Sequence, residues 1–151
     1  MRKFMTMVTG SAVALSALVS SANGVAGADF FGKTGADDEY LVHIQGYAAS
    51  TDKNNTRSVV AALPATLNDQ TPTVKIRVYG NGQQLSCWLF SRDISTGSLS
   101  SSNTSTSVSG QTTLNLSLSL PFGPNYAHSA ECALPKQVGL ASATVFGATI
   151  T

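Results

Sequence analysis

Period-two alternation of apolar and polar residues is the dominant pattern of the chain downstream of residue 40. Residues 112–120 read TTLNLSLSL, in which leucine occupies every second position from 114 onward and asparagine or serine occupies the positions between. Successive side chains of a β-strand point to opposite faces, so this pattern predicts a strand with one buried and one solvated face. Pro121 and the Gly123-Pro124 pair predict the end of that strand.

Two more alternating segments flank Asn81-Gly82, namely residues 73–80 (TVKIRVYG) and 83–90 (QQLSCWLF). Asn-Gly is the preferred pair for the two-residue type I′ turn, so the sequence predicts a hairpin here. The register of such a hairpin places the apolar residues of both strands on one face, which predicts that Cys87 points into the core. The opposed pairs in this register are Val78 with Leu85, Ile76 with Cys87, and Val74 with Leu89.

Four further strands are predicted from short apolar or alternating runs bounded by turn residues, at residues 40–47, 59–63, 125–134 and 138–150. No segment after residue 28 shows the period of an amphipathic helix. The pattern predicts an all-β fold, a single antiparallel two-sheet β-sandwich of about seven strands with one disulfide. The cysteine and tryptophan spacing of an immunoglobulin domain is absent, so the architecture is predicted without a family.

Serine and threonine dominate residues 94–120, and the densest part, residues 98–110, contains no charged residue. Clusters of small polar residues are typical of loops, which favours a loop for residues 100–105. A strand whose hydroxyl groups face water is favoured for residues 106–109.

Cys87 and Cys132 are the only cysteines in the chain. In residues 125–134 the alternation places Cys132 on the apolar face, so both cysteines are predicted to point inward. Thiols of an exported protein tend to be oxidised, and two cysteines allow one intramolecular pairing. We therefore predict a structural disulfide between Cys87 and Cys132 that joins inward positions on two separate strands, in preference to a catalytic thiol or a zinc site.

The first residues have the three parts of a secretory signal peptide: Arg2 and Lys3, an apolar run at residues 4–19, and small residues up to Ala28. We predict cleavage after Ala28, with a second candidate site after Ala22. The leader predicts an exported protein, periplasmic or extracellular, and its alanine-rich character is typical of bacteria. The predicted organisation is a signal peptide at residues 1–28, an N-terminal arm at 29–39 and the β-sandwich domain at 40–151.

Charge and hydropathy argue against two classes of partner. Only 11% of the residues are charged, and removal of the predicted signal takes Lys and Arg from 9 to 7 against 8 Asp and Glu. No basic surface is therefore predicted for a nucleic acid. No stretch after the signal is long and apolar enough to predict a membrane span.

No motif for catalysis or for cofactor binding is present in the sequence, so we predict a protein that is not an enzyme and holds no metal or cofactor. His43 and His128 alternate with apolar residues on predicted strands, which favours a structural role. Ser129 and Glu131 adjoin His128, but alternation points them to the other face of the strand, which argues against a Ser-His-Glu arrangement. The acidic residues of GADDEY are interpreted as a solvated turn. TDKNNT has Asp52 and Asn54 at the spacing of a calcium loop but lacks its glycine and terminal glutamate, so neither segment is predicted to bind calcium.

The predicted hairpin presents a mixed aromatic and polar surface outward. It would place Trp88, the only tryptophan, directly opposite Lys75. Aromatic rings beside hydrogen-bond donors provide a surface on which a sugar or a protein can bind. Two alternatives stay open: Lys75 could simply lie over Trp88 in a cation–π pair, or the N-terminal arm with Phe30 and Phe31 could cover the face. The predicted ligand-binding residues are Trp88, Phe90, Tyr79, Lys75, Arg77 and Gln84.

The first functional hypothesis is an exported, non-catalytic binding or interaction module that presents this aromatic surface to a glycan or a cell-surface protein. The alternative is a structural component of a cell-surface or extracellular assembly, because edge strands can pair with other chains and so allow an oligomer. A hydrolase comes third, and it requires His43 or His128 to lie in a cleft beside a nucleophile.

Overall fold

The computed structural model describes residues 24–64, 71, 73–119 and 123–151. Most of the predicted signal peptide lies outside the described residues. Among the described residues, no helix is long and apolar enough to cross a membrane. The described chain forms eleven β-strands, a 3-10 turn at Gly27–Asp29 and one short helix, α1, at Gly35–Asp38. The strands are β1 Gly24–Ala26, β2 Phe31–Gly32, β3 Leu41–Ile44, β4 Tyr47–Ser50, β5 Arg57–Leu63, β6 Thr73–Asn81, β7 Leu85–Asp93, β8 Leu99–Thr106, β9 Ser109–Ser117, β10 Tyr126–Leu134 and β11 Thr144–Ile150.

The strands form two antiparallel sheets that enclose one core, which confirms the predicted all-β two-sheet sandwich. Sheet I has the order β3-β4-β11-β6-β9, with β1 also paired to β11. Sheet II has the order β2-β5-β10-β7-β8. Among the described strands, only β3 with β4 and β7 with β8 are consecutive pairs, so most pairing joins distant segments of the chain.

The core is built from the inward positions of alternating strands in both sheets. Phe30, which precedes β2, is fully buried between the sheets, and Leu116 of β9 is 1% exposed. The alternation in the sequence predicts the inward side chains of β6 and β7 correctly. These residues, all with 0% exposure, are Val74, Ile76, Val78, Leu85, Cys87 and Leu89.

The hairpin predicted at Asn81-Gly82 is wrong. Strand β6 pairs with β9 and β11 in sheet I, whereas β7 pairs with β10 and β8 in sheet II. Gly82 has a φ of +86°, but Asn81 is not in the left-handed region, so the two residues do not form a type I′ turn. The Asn81 amide instead donates to the carbonyl oxygens of Lys136 at 2.9 Å and Ala141 at 3.3 Å. These bonds anchor the point at which the chain crosses between the sheets.

A two-residue hairpin does occur earlier in the chain, at Gln45-Gly46. The single strand predicted at residues 40–47 is therefore wrong, because β3 and β4 are separate strands with Ile44 opposite Tyr47. Both turn residues have a positive φ, 49° at Gln45 and 85° at Gly46, as a type I′ turn requires. Glutamine rarely adopts this conformation, so the residue types conceal the turn.

The loop predicted at residues 100–105 is also wrong, because these residues belong to β8, which pairs with β7 along its length. The chain turns instead at Ser107 and Val108, inside the segment predicted as a strand at 106–109. Strand β8 is the edge of sheet II, and its inward side chains are only partly covered. Serine and threonine are tolerated there because hydroxyl groups at a half-covered edge keep access to water.

Cys87 and Cys132 form the predicted disulfide, and the cystine is fully buried. The two half-cystines lie on separate strands, as predicted, and both strands belong to the same sheet. The two cysteines lie directly opposite each other on β7 and β10 of sheet II, with their Cα atoms 4.1 Å apart. Alternation shows that both residues point inward, but it does not distinguish neighbours within one sheet from residues that face each other across the core.

The first described residues pass from one sheet to the other. Strand β1 pairs with β11 in sheet I, and β2 pairs with β5 in sheet II. The following helix, α1, begins with a capping box in which Thr34 and Asp37 exchange hydrogen bonds. Strand pairing within the described chain thus begins at Gly24. The segment predicted as an N-terminal arm, residues 29–39, contributes strand β2 to sheet II and Phe30 to the core of the domain predicted at 40–151.

Candidate functional site

The six predicted ligand-binding residues lie on two opposite faces of the sandwich. Because β6 and β7 belong to different sheets, their outward side chains point away from each other, and the predicted single surface does not exist. The outer face of sheet I carries Lys75, Arg77 and Tyr79, the outer face of sheet II carries Trp88 and Phe90, and Gln84 is exposed just before β7.

Trp88 and Phe90 lie next to each other on the outer face of β7. Residues two apart on a strand are about 6.7 Å apart on the same face, so the rings form a continuous aromatic strip. On the edge strand β8, Asn103 is directly opposite Trp88 and Ser101 is directly opposite Phe90. Both rings are partly buried. Asn103 and Ser101 are exposed, so the strip has a row of amide and hydroxyl groups along one side.

On the other side of the strip, Glu131 of β10 is directly opposite Trp88. The Lys33 ammonium group donates to both Glu131 carboxylate oxygens, at 2.9 and 3.0 Å. Such an exposed pair contributes at most about 1 kcal/mol to stability. Its effect on the site is to hold a charged acceptor and a charged donor beside the indole ring.

A depression of about 390 Å³ adjoins Phe90 on the same face. Its volume is at the lower end of the range for ligand pockets, roughly 300–1,000 Å³. Leu99, which is 56% exposed, lies opposite Arg92 at one side of the depression. The lining residues are Phe90, Arg92, Leu99, Ala127, His128 and Ser129.

The structure contradicts both alternative explanations for the predicted aromatic face. Lys75 lies in sheet I and cannot stack over Trp88. Phe30 is in the core, and Phe31 is 53% exposed on β2. In the register of sheet II, Phe31 aligns with Trp88 but is separated from it by β5 and β10, a distance of about 14 Å.

The outer face of sheet I has its own cluster of aromatic and polar side chains. The guanidinium carbon of Arg77 lies 5.9 Å from the centre of the Phe146 ring. Tyr47 packs edge-on against Phe146, with their ring centres also 5.9 Å apart. Tyr79, which is 39% exposed, lies directly opposite Gln111 of β9. Sequence reasoning did not identify Tyr47, Phe146 or Gln111, because their approach to β6 depends on long-range pairing.

The histidines do not form the catalytic arrangement that a hydrolase would need. His128 is 6% exposed and faces the core, and burial lowers the pKa of its imidazole against a smaller opposing effect of a hydrogen bond with the Gly123 backbone. Ser129 and Glu131 lie on the outer side of the same strand, as predicted. His43 is exposed on β3 of sheet I, so the two histidines are not on neighbouring strands.

The acidic side chains at one end of the sandwich already accept hydrogen bonds from the protein. Asp37 accepts from the backbone of Ser58 at 3.2 Å, and Asp38 accepts from the backbone of Gly32 at 2.6 Å. Asp52 is only 2% exposed and accepts from the backbone of Asn54 at 2.7 Å. Across the described ranges, no three His, Cys, Asp or Glu side chains are placed to hold a metal ion.

Comparison with solved structures gives a match of the same fold at low sequence identity. The CBM36-1 domain of a multidomain xylanase from the hindgut metagenome of Trinervitermes trinervoides matches with a TM-score of 0.52 and 13% identity, over 85% of this chain and 94% of that chain. At this identity the match shows a shared fold and nothing further.

Two other solved structures match with lower TM-scores. The carbohydrate-binding module CBM36 in complex with calcium and xylotriose has a TM-score of 0.46 and 16% identity, over 85% of this chain and 98% of that chain. A glycoside hydrolase family 43 arabinoxylan arabinofuranohydrolase from Bacillus subtilis in complex with cellotetraose has a TM-score of 0.40 and 12% identity, over 70% and 21% of the two chains. Comparison of the sequence with protein families and with curated proteins gives no match.

Proposed function

We propose that the protein is an exported, non-catalytic glycan-binding module that binds its ligand on the outer face of sheet II. The observation that carries this proposal is the strip formed by Trp88 and Phe90, with the side chains of Asn103 and Ser101 directly opposite. The C–H groups on the face of a sugar ring pack against aromatic rings, while its hydroxyl groups hydrogen-bond to polar side chains. This face offers both kinds of contact.

The shape of the face supports an extended ligand. An aromatic strip on a sheet surface, continued by the depression beside Phe90, allows successive sugar rings to stack in a row. Glu131 and Lys33 would then supply a charged acceptor and a charged donor for hydroxyl groups at the rim. We therefore infer that the ligand is a neutral polysaccharide and not a single small molecule.

The fold and the disulfide are consistent with this proposal. The matched CBM36-1 domain belongs to a xylanase, an enzyme that acts on a polysaccharide. A fold alone does not assign a ligand, so the aromatic strip remains the primary support. The buried Cys87–Cys132 disulfide suits an oxidising compartment and supports export to the periplasm or the outside of a bacterial cell.

Binding to neutral polysaccharides tests the proposal directly. The exported, oxidised protein is assayed by depletion on insoluble xylan and cellulose and by affinity electrophoresis in soluble xylan and mixed-linkage glucan. Trp88→Ala and Phe90→Ala are each expected to weaken binding at least about tenfold, because each removes a stacking ring. Phe31→Ala, which removes an exposed ring about 14 Å away on the same sheet, is the control and retains the affinity.

The single tryptophan provides an independent measurement. A polysaccharide that covers Trp88 shifts its emission to shorter wavelength and protects it from acrylamide, in the unmodified protein and in the Phe31→Ala variant alike. The proposed site is rejected if none of these polysaccharides binds, or if one binds while both Trp88 emission and the affinity of Trp88→Ala stay unchanged.

A second candidate function, a structural component of a cell-surface assembly, is favoured by the edge strand β8. This strand has eight residues, is paired only to β7, and contains no charge and no proline. Such an edge is unprotected against pairing with another chain. Size-exclusion chromatography with light scattering should then show concentration-dependent oligomers, which Ser102→Lys abolishes by placing a charge on the inward side of the edge. A protein that stays monomeric at high concentration contradicts this second function.

A further inference from the structure

Two neighbouring cations on the outer face of sheet I have no carboxylate partner within the part of the chain that the structure describes. In contrast to Lys33, which pairs with Glu131, Lys75 and Arg77 form no ion pair with any described residue. Their side chains lie two residues apart on one strand, about 6.7 Å along the same face. The residues directly opposite them on β9 and β11 are neutral: Asn115 and Thr149 for Lys75, and Thr113 and Gly147 for Arg77.

The guanidinium group of Arg77 is held in place by its neighbours. In the amide orientation that satisfies both groups, the Gln111 side-chain oxygen accepts hydrogen bonds from Nε and one terminal nitrogen of Arg77. The ring of Phe146 lies beside the guanidinium carbon, at 5.9 Å from its centre. Holding the side chain from two sides lowers the entropy cost of binding a ligand. The other terminal nitrogen keeps donors for an incoming group.

The backbone of β11 is irregular beside this guanidinium group. The pairing of β11 with β6 is interrupted by a bulge between Val145 and Gly147, and Phe146 is the extra residue. Gly147, opposite Arg77, has a φ of +145°, and the backbone of residues 25–27 lies against the position that a side chain would take. Tyr79, the next outward residue of β6, provides an exposed ring on the same face. Arg77 thus has one aromatic ring beside its guanidinium group and a second at the neighbouring outward position of its strand.

We propose that this face is a second glycan-binding surface, selective for polysaccharides that carry carboxylate groups, that is, chains containing uronic acids. Arg77 binds a sugar carboxylate through its remaining donors, because a planar guanidinium matches the two oxygens of a carboxylate. Lys75 contacts a second carboxylate or a ring hydroxyl further along the chain. Tyr79 stacks against the face of a sugar ring.

The charge of the face distinguishes its ligand from that of the other sheet. Lys75 and Arg77 together attract a carboxylated chain, whereas the Lys33 cation near Trp88 is already paired with Glu131. Two positive residues with aromatic neighbours provide a local contact and not the extended basic stripe that a nucleic acid requires. This surface lies on the opposite side of the sandwich from Trp88, so its function does not depend on the proposed function of sheet II.

The test uses polygalacturonate and the same polymer after full methyl esterification. Esterification removes the negative charge and leaves the sugar rings in place. The exported, oxidised protein is expected to bind polygalacturonate at least tenfold more tightly than the ester, with an affinity that falls as salt concentration rises. Arg77→Gln and Lys75→Gln should each lower the affinity for polygalacturonate, Arg77→Gln at least tenfold. Arg77→Lys, which keeps the charge but loses the planar donor set, should give an intermediate loss.

Trp88→Ala separates this inference from the proposed function. It should retain polygalacturonate binding, while Arg77→Gln should retain binding to neutral polysaccharides on sheet II. Thermal unfolding is the control for folding. If Arg77→Gln unfolds at the same temperature as the wild type, its loss of binding is not caused by a loss of the fold. The inference is overturned if polygalacturonate does not bind, if the ester binds equally well, or if the folded Arg77→Gln variant keeps the full affinity.

Discussion

The side chains of Asp52 and Arg57 form an ion pair across the turn between β4 and β5. Arg57 donates from Nε to one Asp52 carboxylate oxygen at 2.6 Å, while the backbone N–H groups of Asn54 and Asn55 donate to the other oxygen at 2.7 and 3.1 Å. The Arg57 guanidinium also lies over the Tyr40 ring, at 4.3 Å from its centre. This single carboxylate therefore fixes the turn, the start of β5 and the contact with the segment after α1.

Acidification should weaken the fold through Asp52. The backbone hydrogen bond from Asn54, followed by those from Asn55 and Arg57, lowers the pKa of Asp52 from 3.8 to about 2, against the opposing effect of burial. Because the folded pKa lies below the unfolded one, this group stabilises the protein above pH 3.8 and loses its contribution as the pH falls towards 2. Urea unfolding between pH 7 and pH 2 should show that the free energy of unfolding falls in the wild type and falls less in Asp52→Asn.

The control for this titration is Glu39→Gln, which removes an exposed carboxylate at the end of α1. It should keep the wild-type fall in stability between pH 4 and pH 2. Parallel pH profiles for wild type and Asp52→Asn would contradict the role given to Asp52.

Removal of the Cys87–Cys132 disulfide should destabilise the protein strongly. The bond closes a loop with a sequence separation of 45, which corresponds to about 4 kcal/mol on the chain-entropy model. Urea unfolding of the oxidised and the reduced wild-type protein measures this difference without creating a cavity. The double variant Cys87→Ala/Cys132→Ala should lose more than reduction alone, because it also removes buried sulfur atoms. Equal unfolding free energies before and after reduction would show that the cross-link is not stabilising.

A side chain at Gly27 should disrupt the join between the first described residues and sheet I. An added Cβ atom would overlap the Val145 carbonyl oxygen and lie 2.8 Å from the Tyr47 Cα atom, both of them backbone atoms that cannot move aside cheaply. We expect Gly27→Ala to lower the free energy of unfolding by about 2 kcal/mol or more. Gly35→Ala is the matched control, because its Cβ would meet no atom within 4 Å. If both variants unfold alike, the segment at Gly27 does not pack as described.

If the chain is exported as proposed, the position of β1 favours processing after Ala22 over the predicted cleavage after Ala28. Cleavage after Ala28 would remove all of β1, which pairs with β11 from Gly24 to Ala26. Cleavage after Ala22 keeps this strand. N-terminal sequencing or intact mass of the exported protein should therefore identify Asn23 as the first residue, and a chain beginning at Asp29 would contradict this expectation.

The alternation along β6 and β7 predicts which side chains are buried but not which strands are neighbours. Val78 and Leu85 contact the same core whether their strands are paired in one sheet or lie in opposite sheets. The same ambiguity affects Cys87 and Cys132, whose inward direction the alternation predicts correctly but whose pairing within one sheet it does not predict. Pairing depends on contacts between distant segments, and local periodicity contains no information about those contacts.

The predicted ligand-binding surface was partly wrong for the same reason, because it combined residues of β6 and β7. Trp88 and Phe90 share a face because they are two residues apart on one strand, a relationship that sequence alone determines. The proximity of Trp88 to Lys75 required the hairpin pairing, and it is lost when β6 and β7 separate. Conversely, the approach of Gln111 and Phe146 to Arg77 follows from the pairing of β6 with β9 and β11, which the sequence pattern does not reveal.

Pairing of the first described strand with the last one also governs when the protein can fold. Gly24 of β1 lies opposite Thr149 of β11, so sheet I cannot be completed until the ribosome has synthesised nearly the whole described chain. Non-local strand pairing of this kind slows folding, typically to milliseconds or seconds in all-β domains. A chain that cannot close its sheet early stays unfolded for longer as it emerges. The proposed export would benefit from this delay, because an unfolded chain can still pass through a narrow translocation channel.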